Sequence, residues 1–531
     1  MIGVLANPAE HDTVREFFEL FKTPWEFYRP GAEYEVLLCT ADATFDSGAA
    51  KLVLVYGGRK LSCDSEGGIQ VVEHSGMSCD FSYDGRRIPI FGDSITFPAE
   101  PASELGRSVS GFSAARVRRT PKGILVRVGY QLFDEIKYLL TKGQPIGYAG
   151  VPTLELHIAL LRDLIVSSGA LLMEIPPVPE GFPFIACLTH DVDHPILRSH
   201  RFDHTMFGFL YRATLGTLLQ AIRRQWPARK LLRNILAVAK LPLVYLGVAR
   251  DFWTGFDRYP RLENGARSSF FVIPFKDYPG QTANGPAPER RAARYEVAEV
   301  EPQLRRLLDS GCEIGAHGID AWRDSSATQA ELEEIRRITG GEVIGVRMHW
   351  LYFDEQSPAT LEKGGADYDS TVGYNQTVGY RAGTSQAYKP LGVTRLLELP
   401  LHIMDTALFY PDYLNLSPRE AGKRVAEIIG NAVVYGGCVT VNWHDRSIAP
   451  ERCWDDFYRE LVGDLASKGA WFATAAEAVS WFRKRRSVRL EGFAGESNLA
   501  GLKTSTPGDG LPDLSWKVHN LQQKAAIPCD K

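Results

Sequence analysis

Paired-cysteine motifs are missing from this sequence. None of its eight cysteines forms a CxxC pair, so a structural zinc site built from thiolates is not indicated. Cys39, Cys187, Cys312 and Cys438 lie in or beside apolar, strand-like runs. This pattern is typical of reduced, buried thiols in a cytosolic protein and argues against a disulfide framework.

A large charge of one sign is also missing. The chain has 60 Lys and Arg residues against 64 Asp and Glu residues, a formal net charge of −4. No overall attraction to nucleic acid or anionic lipid follows from that balance. The first residues, MIGVLANPAEHD, lack a basic start followed by an apolar core, so no signal peptide is predicted and we expect a cytoplasmic location.

Long uninterrupted apolar runs are absent as well. The most apolar later window, residues 236–253, is interrupted by Lys240, Pro242 and Arg250. We interpret it as a buried or interfacial helix, and a transmembrane span is not expected.

The length of 531 residues predicts two or three domains. Residues 1–174 combine four strand-like runs with helical patterns, which predicts a smaller α/β domain whose role the sequence does not reveal. The Pro-rich stretch IPPVPEGFP, residues 175–183, predicts a short, stiff connector. Residues 487–531 are polar and rich in turn-forming residues, which predicts a flexible tail.

Between these segments, strands and helices alternate. The strand candidates are FIACLTH, SSFFVIP, CEIGAHG, VIGVRMH, RLLELPL and CVTVNWH. Such alternation predicts a parallel sheet, either open or closed into a barrel. A helical insertion at about residues 200–260 separates the first strand from the second.

Chemistry-bearing residues follow several of these strands. FIACLTHDVDHP, residues 184–195, ends a buried strand with Asp191 and Asp193, which share one face of an extended segment. His317 ends the third strand, and His444 ends the last. Because the carboxyl ends of parallel strands meet at one rim, we expect these groups to converge.

Two neighbouring carboxylates repel each other, so a nearby cation would be needed to keep both charged. A divalent metal bound by Asp193 and His317 would supply it, leaving Asp191 free to act as a base on water. The plain alternatives are a helix cap for the two aspartates, a hydrogen-bonded turn histidine for His317, and a structural role for His444.

These motifs resemble the polysaccharide deacetylase family with the NodB homology domain, carbohydrate esterase family 4. The features are THDVD, a histidine after EIG, an arginine motif in GVRMHW and a late histidine in VTVNWHDR. The resemblance covers about residues 184–486 and extends to SSFFVIP, ADYDSTVGY and WFATAAEAVSWF. It implies a deformed (β/α)7 barrel that uses one divalent metal to remove N- or O-acetyl groups from sugars.

The resemblance also implies a role for each residue. Asp191 matches the catalytic base, Arg347 the residue that holds it, and His444 the general acid. Asp193 and His317 match metal ligands. The metal would be zinc, or alternatively cobalt, nickel or manganese, and a backbone N–H near residues 348–350 would help to stabilise the oxyanion.

One family ligand is missing. The second metal histidine should lie four residues after His317, where this sequence has Ala321. His349 is the first candidate to replace it, because it stands where the family usually has proline near the metal. Asp320 and His194 are weaker candidates.

The sequence therefore predicts a metal-dependent hydrolase that deacetylates an amino sugar or polysaccharide precursor. Proteins of polysaccharide biosynthesis are possible partners, and no nucleic acid partner is expected. The rival interpretation is a non-catalytic saccharide-binding or assembly protein on a degenerate deacetylase scaffold, which Ala321 favours. A third hypothesis is hydrolysis of another amide, such as a ureide or cyclic imide. Asp405 is a candidate to orient His444, and a helix-capping role is the alternative. Five aromatic residues are candidates for stacking on sugar rings, and each has a core position as its alternative: Trp322, Trp350, Tyr352, Tyr374 and Trp443.

Overall fold

The computed structural model describes residues 1–519 apart from 44–45, 47–48, 67, 75–78, 84, 99–106, 109–112, 121–122, 223–227, 342 and 491–509. The chain divides into two compact units. The first contains Met1–Glu180, Tyr380–Thr384 and Trp481–Lys531. The second contains Gly181–Gly379 and Ser385–Ser480.

The strands of the described residues are β1 (Ile2–Leu5), β2 (Trp25–Phe27), β3 (Val36–Cys39), β4 (Leu52–Tyr56), β5 (Val72–His74), β6 (Cys79–Tyr83), β7 (Arg86–Ile90), β8 (Ser94–Thr96), β9 (Arg107–Ser108), β10 (Ala115–Thr120), β11 (Gly123–Val128), β12 (Leu172–Glu174), β13 (Ile185–Val192), β14 (Ser269–Val272), β15 (Gln281–Thr282), β16 (Gly285–Pro286), β17 (Glu313–Gly318), β18 (Gly345–Met348), β19 (Tyr368–Asp369), β20 (Leu397–Glu398), β21 (Ile403–Met404), β22 (Cys438–Asn442), β23 (Trp471–Ala473) and β24 (Lys517–His519). The helices are α1 (His11–Phe21), α2 (Ser62–Glu66), α3 (Leu132–Thr141), α4 (Thr153–Ser167), α5 (His204–Tyr211), α6 (Thr217–Ile222), α7 (Ala228–Tyr245), α8 (Tyr259–Leu262), α9 (Val297–Asp309), α10 (Ser325–Thr339), α11 (Ser357–Gly364), α12 (Asp405–Phe409), α13 (Pro418–Tyr435), α14 (Asp455–Ser467) and α15 (Ala475–Ser487).

The first unit is built on a six-stranded sheet in the order β10-β11-β4-β3-β1-β2. All of its neighbours are parallel except β10 and β11, which form an antiparallel edge hairpin. The central strands β3 and β4 are buried along their whole length, as expected for apolar runs covered on both faces. The sequence patterns anticipated β1, β3, β4 and β5 but not the β6–β7 and β10–β11 hairpins.

Part of the predicted flexible tail belongs to this unit. β24 pairs antiparallel with β12, and the ring of His519 lies 2.9 Å from the carboxylate of Glu174. Arg485, near the end of α15, donates hydrogen bonds to the carbonyl oxygens of Leu20 and Ile175. A flexible tail is therefore wrong for residues 517–519, while 491–509 and 520–531 lie outside the described residues.

The second unit is built on a parallel sheet that curls into a half-barrel, in the order β20-β19-β18-β17-β14-β13-β22-β21, with β23 also paired to β13. β13 is buried at every position, which explains its continuous apolar run. The predicted alternation of strands and helices, and the parallel sheet that it implies, are confirmed. The curled sheet agrees with a NodB-like barrel, without establishing the closed (β/α)7 form.

The predicted helical insertion follows β13. A helical run comprises α5, a π-helical turn at Arg212–Gly216 and α6, and α7 follows it. No helix among the described residues is both long enough and apolar enough to cross a membrane. The six cysteines with described side chains are free, and all but Cys63 are buried. Burial was predicted for four of them, Cys39, Cys187, Cys312 and Cys438, and is confirmed for these four.

Candidate functional site

The strand ends of the second unit bring the predicted residues together. β13 lies beside β22, and Thr189 pairs with Asn442. β17 lies beside β18, and His317 pairs with Arg347. Because all these strands are parallel, the groups at their carboxyl ends occupy one rim of the sheet.

Asp193, His317 and His349 form a compact, buried group that could hold a metal ion. The Asp193 Oδ1 atom lies 3.2 Å from His317 Nε2 and 3.3 Å from His349 Nδ1. The two imidazole nitrogens are 3.0 Å apart. Ligand atoms bound to one ion at about 2.0–2.1 Å are about 2.8–3.0 Å apart in octahedral geometry and about 3.3–3.4 Å apart in tetrahedral geometry. The triangle formed by these three atoms therefore has the size of a metal-ligand set.

The hydrogen bonds around the triangle also fit a metal. His317 Nδ1 lies 2.9 Å from the carbonyl oxygen of Arg347, which places its proton on Nδ1 and leaves the Nε2 lone pair facing the triangle. Burial lowers the pKa of His349 to about 4, so its ring is neutral. Asp193 Oδ1 is buried and has no hydrogen-bond partner among the described residues. With His349 Nδ1 unprotonated, three lone-pair donors converge, which is the donor set of a divalent ion.

Asp191 lies next to this triangle but is held by other residues. Its Oδ1 accepts a hydrogen bond from Arg347 at 3.1 Å, and its Oδ2 accepts one from Asn442 Nδ2 at 2.6 Å. Burial raises the pKa of the Asp191 carboxyl, but the positive charges around it, which include the Arg347 guanidinium, outweigh that effect and lower the pKa below the ordinary value. Asp191 is thus a charged carboxylate with a fixed orientation.

Arg347 is fully buried and uses its guanidinium as a fork. It donates to the carbonyl oxygen and hydroxyl of Ser370, both at 2.9 Å, and to the hydroxyl of Thr189 at 2.6 Å. The guanidinium carbon also lies 4.5 Å from the centre of the Phe271 ring. A cation with this many fixed partners positions Asp191 rather than serving as a mobile ion pair.

His444 faces the triangle from the end of β22. Its Nε2 lies 3.8 Å from Asp193 Oδ2, and its Nδ1 lies 2.6 Å from Asp405 Oδ1. Asp405 also accepts hydrogen bonds from the backbone N–H of His444 and the hydroxyl of Ser447. Burial lowers the pKa of His444, but Asp405 and Asp193 outweigh it and raise that pKa to about 10. The ring is therefore an imidazolium near neutral pH, oriented by Asp405.

The weaker candidates for the missing ligand have other partners. Asp320 accepts hydrogen bonds from the Tyr278 hydroxyl at 2.5 Å and the Gln281 backbone N–H at 2.8 Å. The His194 ring packs against His200, and the group that could hold a metal does not include it. Ala321 is buried. His349 is the residue that completes the triangle in the described structure.

The structure limits which of the five aromatic candidates can stack on a sugar ring. Trp443 is fully buried and stacks on Phe457 and Tyr458, so it is a core residue and not a sugar platform. Trp322 and Tyr374 are also buried, whereas Trp350 and Tyr352 are half-buried.

The backbone N–H of Met348 is already used, because it donates a hydrogen bond to the Thr371 hydroxyl. Of the three N–H groups expected to stabilise the oxyanion, those of residues 349 and 350 remain as candidates.

Sequence reasoning missed two positioning residues. Asn442 is the last residue of β22 and lies two residues before His444, a spacing of two that could have marked it in the sequence. Arg291 is buried and donates to the carbonyl oxygens of Ile319 and His349, at 3.0 and 2.9 Å. It comes from a short 3-10 turn, Glu289–Arg291, remote in sequence, and no local pattern marks it.

Comparison with known proteins gave structural matches only. No protein-family model and no curated protein matches the chain. A protein from Mycobacterium smegmatis described as a polysaccharide deacetylase is 18% identical, with a TM-score of 0.36, covering 60% of this chain and 98% of its own.

An allantoinase is 12% identical, with a TM-score of 0.37, covering 59% of this chain and 95% of its own. A Bacillus anthracis protein described as a CE4 family pseudoenzyme is 12% identical, with a TM-score of 0.26, covering 56% of this chain and 65% of its own. These proteins differ from one another in their described activities.

Proposed function

We propose that this protein is a metal-dependent deacetylase that hydrolyses the N-acetyl or O-acetyl group of an amino sugar or polysaccharide precursor. One observation supports the proposal: a fixed carboxylate, Asp191, and a protonated imidazole, His444, lie beside three donors that could hold a metal ion. A carboxylate without a proton and an imidazole with one are the pair that amide hydrolysis requires.

Asp193, His317 and His349 would hold the ion, and zinc best suits one carboxylate and two imidazoles. A divalent ion there would polarise the acetyl carbonyl and lower the pKa of nearby water. The residues that complete the ligand set are buried, which keeps competing water away from the donors.

Asp191 accepts the proton of the attacking water. Arg347 and Asn442 keep its two oxygens in place, so little reorganisation is needed when the proton arrives. His444 then donates its Nε2 proton to the leaving amine, and Asp405 stabilises its charged form beforehand. The backbone N–H of residue 349 or 350 is the proposed oxyanion donor.

The experiment is an acetate-release assay on N-acetylated and O-acetylated sugars, after loading the purified chain with zinc, cobalt, nickel or manganese. Asp191→Asn should lower the rate at least 100-fold while metal binding persists. The matched control is Asp320→Asn, a second buried carboxylate of this unit that lies outside the metal group; its rate should stay within a few-fold of wild type.

The outcomes separate the rival functions. A chain that binds metal but releases no acetate, and instead hydrolyses a ureide or cyclic imide, is a different amidase. A chain that binds no divalent metal and hydrolyses nothing, yet retains saccharides, is a binding protein on a degenerate scaffold. Either result overturns the deacetylase proposal.

A further inference from the structure

The helical insertion carries an unusual amount of exposed apolar surface. Among the described residues, twenty-two large apolar side chains are exposed, and thirteen of them lie between Phe202 and Val248. Phe202, Leu246 and Val248 are 84%, 74% and 76% exposed. A concentration of this kind in one short segment marks a surface that meets an apolar partner.

The exposed side chains recur at helical spacing. In the first helical run, Tyr211, Leu215 and Leu218 are exposed, and in α7 Leu232, Leu236 and Leu243 are exposed. These six residues define what we call the outer surface of the insertion. Separations of three, four and seven residues place such side chains along one side of each helix.

The opposite sides of the same helices are packed into the second unit. Phe209, Ala213, Ala237 and Leu241 belong to one buried cluster with Trp253. The two helices are also joined directly, because Asn234 donates a hydrogen bond to the Thr217 hydroxyl at 2.8 Å. The inner sides of these helices therefore pack into the core of the second unit. The outer surface takes no part in that core.

The charge of this segment differs from that of the whole chain. Residues 201–250 contain nine Lys and Arg residues and one acidic residue, Asp203, a formal net charge of +8 within a chain of −4. Asp203 is used internally, since it caps α5 by accepting from two backbone N–H groups. Four of these cations, Arg229, Lys230, Arg233 and Arg250, pair with Asp257, Asp455 or Asp456, which lie outside the segment. Arg201 and Lys240 are exposed and make no ion pair within the described part of the chain, so they remain available to an anionic surface.

From this combination we infer that the insertion docks the protein onto an anionic lipid surface, with the outer surface entering the interfacial layer. Helices that lie in a membrane interface show one apolar side and an excess of Lys and Arg. A second protein as occupant would account for the apolar surface, but the excess of positive charge favours anionic headgroups.

The insertion is anchored beside the strand-end rim. Arg233 donates a hydrogen bond to the carbonyl oxygen of Ile448. The hydroxyl of Tyr259 donates one to the backbone carbonyl oxygen of His444. Docking would thus hold the rim near the lipid surface. On the proposed function, this favours a saccharide carried on a lipid over a free sugar as substrate; the docking itself does not depend on catalysis.

The test is co-flotation of the full chain with vesicles of phosphatidylcholine, with and without phosphatidylglycerol. Wild type should bind the anionic vesicles at least tenfold more strongly than the neutral ones, and added salt should weaken that binding. The triple variant Leu215→Glu, Leu232→Glu, Leu236→Glu should reduce binding at least tenfold. Val433→Glu with Val434→Glu, exposed positions on α13, is the matched control and should leave binding unchanged.

The circular dichroism spectrum and melting temperature of each variant must match those of wild type. We expect this match because the substituted side chains are exposed. Wild-type chain that stays out of both vesicle fractions overturns the inference. So does a wild-type dimer in light scattering that the triple variant converts to a monomer without any vesicle binding, because the outer surface would then be covered by a second copy. Neither result bears on metal binding or acetate release, so the docking can fail while the deacetylase proposal stands.

Discussion

Replacing His349 with alanine is the sharpest test of the metal centre. The Nδ1 atom of His349 lies 3.0 Å from His317 Nε2 and 3.3 Å from Asp193 Oδ1, so it supplies one of only three protein donors in the triangle. Loss of a residue that merely supports a ligand lowers metal affinity 10–100-fold, and loss of a ligand itself should cost more. We expect at least a 100-fold weaker Kd, about 2.8 kcal/mol.

The assay is a competition titration of zinc or cobalt against a chromophoric chelator at fixed pH. Two control variants separate this ligand from its neighbours. His194→Ala removes another imidazole at this strand end, which is half-buried, and Asp320→Asn removes the charge of a buried carboxylate that accepts a hydrogen bond from Tyr278. Both should bind metal within threefold of wild type.

Two results would contradict this assignment of the metal ligands. Wild-type affinity in His349→Ala would show that the triangle is not the ligand set. A large loss in Asp320→Asn would show that Asp320, next to Ala321, is the true third ligand. Cobalt spectra of wild type and His349→Ala should also differ, since loss of a nitrogen donor changes the ligand field.

Three other predictions follow from the buried polar groups. Arg347→Met leaves Asp191 charged and unpaired in the core, so the second unit should lose about 3–5 kcal/mol, measured by its denaturation midpoint; an unchanged midpoint would contradict the pairing. His444→Gln should slow acetamide hydrolysis at least 100-fold but aryl acetate hydrolysis much less, because a phenolate leaves without a proton; equal losses would rule out an acid role. Burial raises the pKa of Glu135 to about 7 from an ordinary 4.5, so the folded chain binds the proton more tightly than the unfolded chain does. The contribution of Glu135 protonation to the free energy of unfolding, about 3 kcal/mol, is present below pH 4.5 and is lost as the pH rises to 7. The melting temperature of Glu135→Gln, measured relative to that of wild type, should therefore rise between pH 5 and pH 8. A difference that stays constant over this range would contradict the prediction.

The rim of the parallel sheet could be predicted because its signals are local. Each strand is a short apolar run, and the polar residue that follows it marks the carboxyl end. Asp191, His317 and Arg347 all follow this rule, and parallel pairing then brings them together. His349 needed one further step, the recognition that a ligand absent from one strand end can be supplied by the next.

The remaining features depend on contacts between distant segments. Arg291 holds the backbone of His349 from a turn 58 residues earlier, and nothing in its own neighbourhood distinguishes it from a surface arginine. The β10–β11 hairpin is rich in arginine, so periodicity alone did not reveal it. The outer surface of the insertion was visible as apolar sequence, but its exposure became clear only once the inner sides of α5 and α7 were seen to fill a core.

The pairing of β12 with β24 constrains how this chain can fold during synthesis. His519 and Glu174 are 345 residues apart, so a ribosome adding roughly 5–20 residues per second exposes β12 for roughly 20–70 s before its partner emerges. The carbonyl oxygens of Leu20 and Ile175 likewise lack their hydrogen-bond donor until Arg485 has been synthesised. The early strands and loops of the first unit therefore leave the ribosome well before the segments that complete their hydrogen bonds, and a chain truncated before Arg485 would leave β12, Leu20 and Ile175 without these partners.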